Sequence, residues 1–251
     1  MNRFKKVLVV GASSGIGASI ASRFAHEGWN VCVTSRRGAA LQEVSRGFPA
    51  GHHLLEAGDY GVEADVERLR GKIASEWGHL DAMVNSAGIS FAGDAISAPQ
   101  EEIEAGFHAM VHGACLVSRM SVGLMPSGGR IVHITSIHAS RAELGGAGYS
   151  MAKAAINQYV RVLAMELAPR GILVNSIAPG FIDTPMSSAG GENELETPWF
   201  RQNYLEGHHL PLRRPGRPEE VAGVAWFLCG PDATYLTGQC LTVDGGLSIT
   251  F

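Results

Sequence analysis

Apolar residues along this chain fall into short continuous runs at 7–10, 31–33, 80–84, 130–134, 172–177 and 240–243, each bounded by Gly, Pro, Asn, Asp or Ser. Runs of that length without polar alternation predict strands buried on both faces, as in a parallel sheet. Between them lie segments of helical length at about 15–27, 66–77, 97–120, 147–168 and 218–229. Ser97-Ala98-Pro99 followed by Gln100-Glu101-Glu102 supplies a cap, a first-turn proline and acidic residues where the helix dipole favours them; Arg217-Pro218-Glu219-Glu220 repeats that logic. A further strand is expected to end near Asp65, although 48–61 carries no clear pattern. Strand and helix alternating through at least six units predict an α/β fold, a single doubly wound parallel sheet of about seven strands with helices on both faces. An eight-fold barrel of similar length is the alternative.

Composition narrows the picture. A chain of 251 residues, 45% hydrophobic, has enough apolar surface for one large core spanning 1–251 without disulfides or metals. Twenty basic against 24 acidic residues give a net charge of −4, which argues against a nucleic-acid partner. No apolar run approaches the roughly 20 residues that span a bilayer, and the opening apolar stretch suits a first strand and is too short for a signal peptide. Cys32, Cys115, Cys229 and Cys240 are far apart in apolar contexts and read as reduced core thiols of a cytoplasmic protein.

The first strand runs into Gly11-Ala12-Ser13-Ser14-Gly15-Ile16-Gly17 at the start of a helix. Backbone amides at a helix N-terminus meet phosphate there, and glycine lets the chain approach a pyrophosphate without a Cβ clash. A nucleotide triphosphate loop would end in Gly-Lys-Ser/Thr, and Gly17-Ala18-Ser19 lacks the lysine. Gly11-x-Ser13-x-Gly15 also spells a hydrolase nucleophile elbow, but such an elbow follows several strands. The second strand ends in Thr34-Ser35-Arg36-Arg37 with no acidic residue for a ribose 2′-hydroxyl, so Ser35, Arg36 and Arg37 favour a 2′-phosphate, hence NADP(H) over NAD(H).

Later in the chain, Tyr149 and Lys153 share one helix face, and Ser136 stands at a strand end where open α/β sheets bind ligands. A tyrosine titrates near pH 10, and bringing it to neutrality takes about 4 kcal/mol of differential stabilisation, which a nearby ammonium is suited to provide.

With these residues in view, the chain resembles the short-chain dehydrogenase/reductase family over essentially its whole length, near its 3-oxoacyl-carrier-protein reductase and glucose 1-dehydrogenase group. The matching features are Gly11-x-x-x-Gly15-x-Gly17, Ala64-Asp65-Val66, Asn85-Ser86-Ala87-Gly88, Ser136, Tyr149-x-x-x-Lys153, Asn175-Ser176-Ile177-Ala178-Pro179-Gly180 and Val243-Asp244-Gly245-Gly246. The resemblance implies Tyr149 as general acid/base and Lys153 as the residue that lowers its pKa and binds the nicotinamide ribose. Ser136 would then orient a substrate carbonyl. Ser13, Ser14 and Ile16 would join the glycines at the pyrophosphate. Asp65 and Val66 are expected beside the adenine, and Asn85, Ala87 and Gly88 along the cofactor cleft. Pro179, Gly180, Ile182 and Thr184 would flank the nicotinamide. Reversible hydride transfer between NADP(H) and a carbonyl or secondary alcohol, and a homotetramer, are likewise implied. The chain departs from the family at Met110, where a catalytic asparagine is usual; a thioether cannot donate a hydrogen bond. His108 and His112 flank it on neighbouring helical turns, four residues apart, but no third ligand or intervening glutamate marks a metal site.

Residues 183–217 hold the expected substrate lid, with Gly190-Gly191-Glu192, Trp199-Phe200, Tyr204, His208 and His209. Its aromatics are suited either to stack on a sugar face or to dock on the domain, and Arg213, Arg214 and Arg217 either to meet an anionic substrate or to be solvated. Its polarity favours a small polar or polyol-like substrate. Reduction of a 3-oxoacyl thioester on a carrier protein is the runner-up, and a non-catalytic NADP sensor, suggested by Met110, is the alternative of another class.

Overall fold

Val7, Leu8, Val9 and Val10 are all but inaccessible to solvent, as a strand with neighbours on both sides and helices on both faces requires. They belong to β1 (Lys6–Val10) in a computed structural model describing residues 5–89, 93–188 and 191–250. The other strands are β2 (Asn30–Ser35), β3 (Leu54–Ala57), β4 (Ala82–Asn85), β5 (Arg130–Ile134), β6 (Leu173–Pro179) and β7 (Cys240–Val243). All pair in parallel in the order β3-β2-β1-β4-β5-β6-β7. The chain reverses its direction across the sheet between β1 and β4, and the crevice at their carboxyl ends is where a doubly wound sheet binds ligands.

Helices α1 (Gly15–His26) and α7 (Pro218–Cys229) cover one face, where Phe24 meets Trp29 and Trp226 edge-on at 5.0 and 5.1 Å. On the other face pack α3 (Glu63–Glu76), α5 (Gly113–Leu124) and α6 (Ala147–Leu167). Helix α4 (Gln100–Phe107) passes through a π-helical turn, His108–His112, into α5. The predicted helix at 97–120 therefore starts later and carries a bulge. Its entry is held by Asp94 rather than by the hydroxyl of Ser97: the carboxylate accepts the Ile96 and Ser97 amides at 2.9 and 2.8 Å.

Two expectations, the strand ending near Asp65 and the placing of all four cysteines in the core, are corrected. No strand ends near Asp65, because Glu63 and Asp65 sit in the first turn of α3, where acidic side chains favour a helix. The third strand is Leu54–Ala57, an edge strand only partly buried and so without the signature of a doubly covered one. Helix α2 (Gly38–Arg46), which buries only Leu41, had no predicted counterpart. Of the four cysteines, Cys32 and Cys229 are core thiols pushed up to about 12 by burial, whereas Cys115 is half-buried and Cys240 lies exposed on the edge strand β7. No helix among the described residues is long and apolar enough to cross a membrane.

Candidate active site

A cleft of about 790 Å³ opens along the carboxyl ends of β1, β2, β4, β5 and β6. Its first wall is the glycine loop. Gly11 has φ +78°, and a Cβ there would stand 2.6 Å from the Ala87 backbone; one on Gly17 would stand 2.2 Å from the Gly11 carbonyl oxygen. The loop therefore runs bare against the chain just past β4 and leaves the N-terminus of α1 open to the cleft, a cradle that fits a pyrophosphate. Ser13, Ser14, Gly15 and Ile16 line it. Arg37 spans from the end of β2 to the loop, donating to Ser13 Oγ at 2.9 Å and Ser14 Oγ at 2.8 Å, and its own amide donates to Ser35 Oγ. Arg36 lines the same end beside Tyr60, whose phenol feels its positive charge.

Asp65 and Val66, expected beside the adenine, are elsewhere. Val66 is in the core, and Asp65 accepts the Asp59 amide at 2.8 Å and pairs with Arg68 at 2.6 Å. Asp59 and Tyr60, held by the Asp65 turn, line the cleft beside Arg36. Sequence reading missed them because the strand before them went unrecognised; Leu54-Leu55 ahead of Gly58-Asp59 was the available signal.

Ala87 and Gly88 line the cleft, but Asn85 lies behind them, 3% exposed. Its Oδ1 accepts the Ala87 amide at 3.2 Å, so its Nδ2 donates to His133 Nδ1 at 3.3 Å. The imidazole must then carry its proton on Nε2, which donates to Ser118 Oγ at 3.0 Å. Burial, and secondarily the Lys153 ammonium, hold His133 down at about 4, so it is neutral as this chain of bonds requires. Asn85 thus sets the wall without touching the cavity, through a buried partner that no motif marked.

At the reacting end the Ser136 hydroxyl hydrogen-bonds the Tyr149 phenol, while Ser136 Oγ accepts the His138 amide at 3.2 Å. Lys153 Nζ lies 5.5 Å from the centre of the Tyr149 ring and donates to the Ile134 carbonyl at 3.1 Å. Burial lowers Lys153 to about 8. Burial raises Tyr149, the Ser136 bond opposes that shift, and Glu143 adds to it. Pro179, Gly180, Ile182 and Thr184 line the opposite wall. Gly180 is braced from β7: its amide donates to Val243 O at 3.0 Å, and a Cβ on it would stand 2.7 Å from that of Asp244. Asp244 in turn accepts the Gly246 and Ser248 amides. The closing Val-Asp-Gly-Gly is a support for this wall.

Met110 is fully buried in the π turn. His108 and His112 are exposed, stack on each other at 4.7 Å and line no part of the cleft, so neither stands in for an amide at Met110. In the lid, Phe200 is buried against Phe181 at 4.9 Å, and Trp199, 61% exposed, packs edge-on against Tyr204. These aromatics dock on the domain; the lid residues that face the cleft include Glu192 and Glu194. Arg213 Nη2 contacts His208 Nδ1 at 2.7 Å and Arg214 pairs with Glu220 at 2.7 Å, so both are engaged away from the cavity. Gly190, one of the expected hinges, lies outside the described residues.

A doubly wound sheet with a bare glycine turn, an arginine pair at β2 and a Ser-Tyr-Lys group at β5 and α6 defines a nicotinamide-dependent oxidoreductase. Residues 11–248 match the family described as enoyl-(acyl carrier protein) reductase. A glucose 1-dehydrogenase of Gluconobacter oxydans (strain 621H) is 37% identical, covering 98% of this chain and 92% of the relative. The 3-oxoacyl-[acyl-carrier-protein] reductase FabG of Thermotoga maritima is 32% identical, covering 98% of both. Among solved structures, a short-chain dehydrogenase from Burkholderia cenocepacia J2315 in complex with NADP superposes with a TM-score of 0.87 at 32% identity, covering 97% of this chain and 98% of the other. The chain belongs to the short-chain dehydrogenase/reductase family, oxidoreductases acting on alcohol and carbonyl groups.

Proposed function

We propose that this chain is an NADP(H)-dependent oxidoreductase acting on a carbonyl or secondary alcohol of a small polar or polyol-like substrate. The observation that carries the reading is the Ser136–Tyr149 hydrogen bond, with Lys153 buried behind it, in the same cleft as the glycine cradle and Arg36. When bound, the nicotinamide supplies hydride to the substrate carbon or takes it up. Ser136 and Tyr149 hold the substrate oxygen, and Tyr149 Oη gives or accepts the proton. Lys153, anchored on Ile134 O, lies on the ring side of the phenol and favours its anion. Residues 1–251 act as one catalytic unit, with 183–217 as the lid, and we place it in the cytoplasm as a homotetramer. The exposed Met165, Tyr235 and Ile249 suit subunit contacts.

Reduction of carrier-bound 3-oxoacyl thioesters is the second reading, favoured by the FabG relative. Against it, Arg213 and Arg214 are engaged elsewhere, and the substrate end of the cleft presents carboxylates. A non-catalytic sensor would need no Ser-Tyr-Lys group. Titration with NADPH and NADH, followed by a carbonyl and polyol panel read at the nicotinamide absorbance, tests the assignment. NADPH-selective binding with turnover supports it; NADH preferred, or binding without turnover, overturns it.

A further inference from the structure

Charge is segregated along the cleft. Arg36 and Arg37 stand at the phosphate end. At the reacting end Glu143, from the loop between β5 and α6, and Glu194, from the lid turn Glu194–Glu196, reach the same cavity from segments far apart in sequence. They are close enough that Glu143 raises the pKa of Glu194, after the larger effect of burial, and both raise that of Tyr204. Glu143 Oε2 lies 3.2 Å from His138 Nδ1, and His138 sets its ring edge-on to Tyr149 at 6.1 Å. Among the described residues that line this end the basic side chains are His138 and Lys153, whose ammonium lies beneath Tyr149 and donates to Ile134 O, while Arg141 is turned to Ser248 O. Glu143 and Glu194, with Glu192 also lining the cleft, leave acceptor capacity and negative potential facing the substrate, His138 being paired with Glu143 alone.

We propose that Glu143 and Glu194 are specificity-determining residues that seat a hydrogen-bond donor of the substrate, most strongly a protonated amino group, next to the reacting carbon, and that they exclude a carboxylate or phosphate there. This rests on the oxidoreductase reading and sharpens it. A hydroxyl donates to these carboxylates as a polyol would. An ammonium also relieves their mutual repulsion, whereas the anionic arm of a carrier thioester adds to it.

Three ketones of one skeleton test the proposal with the full-length chain and NADPH: aminoacetone, hydroxyacetone and pyruvate, carrying a cation, a hydroxyl and an anion beside the same carbonyl. We expect kcat/KM to fall in that order. In Glu143→Gln and in Glu194→Gln the advantage of aminoacetone over hydroxyacetone should shrink about tenfold, the scale of one partly screened charge contact. A merely structural effect would lower both substrates together and leave the ratio unchanged. An unchanged ratio in both variants, or a preference of the wild type for pyruvate, overturns the proposal. The same ketones are titrated into NADP+-loaded protein, following tryptophan fluorescence. Charge-ordered binding without turnover would sink the catalytic reading and support the selection, and failure of aminoacetone to bind would overturn the selection itself.

Discussion

Replacing Lys153 by methionine should stabilise the free protein while abolishing its chemistry. Lys153 is 4% exposed, and burial lowers its pKa from 10.5 to about 8. Because the folded pKa lies below the unfolded one, the charged form is penalised in the folded state at neutral pH. Between the two values the unfolded chain binds more protons, so stability rises with pH. From those pKa values the penalty is about 3 kcal/mol at pH 7 and about 1 kcal/mol at pH 9.5. Methionine fills a similar volume and forfeits the bond to the Ile134 carbonyl, at a cost of about 1 kcal/mol. The net expectation is a variant about 2 kcal/mol more stable at pH 7, with that gain lost by pH 9.5. Urea unfolding of both proteins without cofactor at the two pH values measures this directly. An advantage equal at both pH values, or a less stable variant at pH 7, would refute the reasoning that Lys153 is held charged against its burial.

Other substitutions separate roles that the cleft brings together. Arg36→Asp should weaken NADPH binding by at least about tenfold and leave NADH nearly unchanged, whereas Arg37→Ala, which frees Ser13 and Ser14, should weaken both dinucleotides; fluorescence titration distinguishes the two patterns. Glu143→Gln removes a charge that raises Tyr149, so the pH profile of alcohol oxidation, which needs the phenolate, should shift to lower pH; a shift to higher pH would reverse the assignment. Gly11→Ala puts a Cβ 2.6 Å from the Ala87 backbone at φ +78°, and should abolish dinucleotide binding and lower Tm by several degrees in a thermal melt.

The sheet was legible in sequence where its strands are covered on both faces. Val7 to Val10 carry no polar interruption because nothing on them meets water, and the run ending at Ile177 admits Asn175 and Ser176 only with buried hydrogen-bond partners. It was illegible at the edge strand β3, whose four residues are only partly buried and resemble a loop, although the other edge strand, β7, was marked by its apolar run despite being partly exposed. That gap had a consequence for the site: the expectation falls on Asp65 and Val66, which do not line the cleft, six positions beyond Asp59 and Tyr60, which do. Glycine positions could be read because close backbone approach admits no other residue, and Tyr149 and Lys153 because helical spacing puts both on one face. His133 and Asn85 could not be paired in advance, since only the register of β4 against β5 makes them neighbours. Glu143 and Glu194 were hidden for the same reason, their meeting depending on a loop and a lid folding over one cavity.

The central claim is that Tyr149 carries the proton in an NADPH-dependent reaction. The most direct test follows NADPH oxidation with the carbonyl panel by wild type and Tyr149→Phe, with NADPH affinity measured for both. The expected result is an unchanged Kd for NADPH with turnover reduced at least about 100-fold in the variant. Equal turnover by the two proteins, or NADPH binding with no turnover in the wild type, would contradict the assignment.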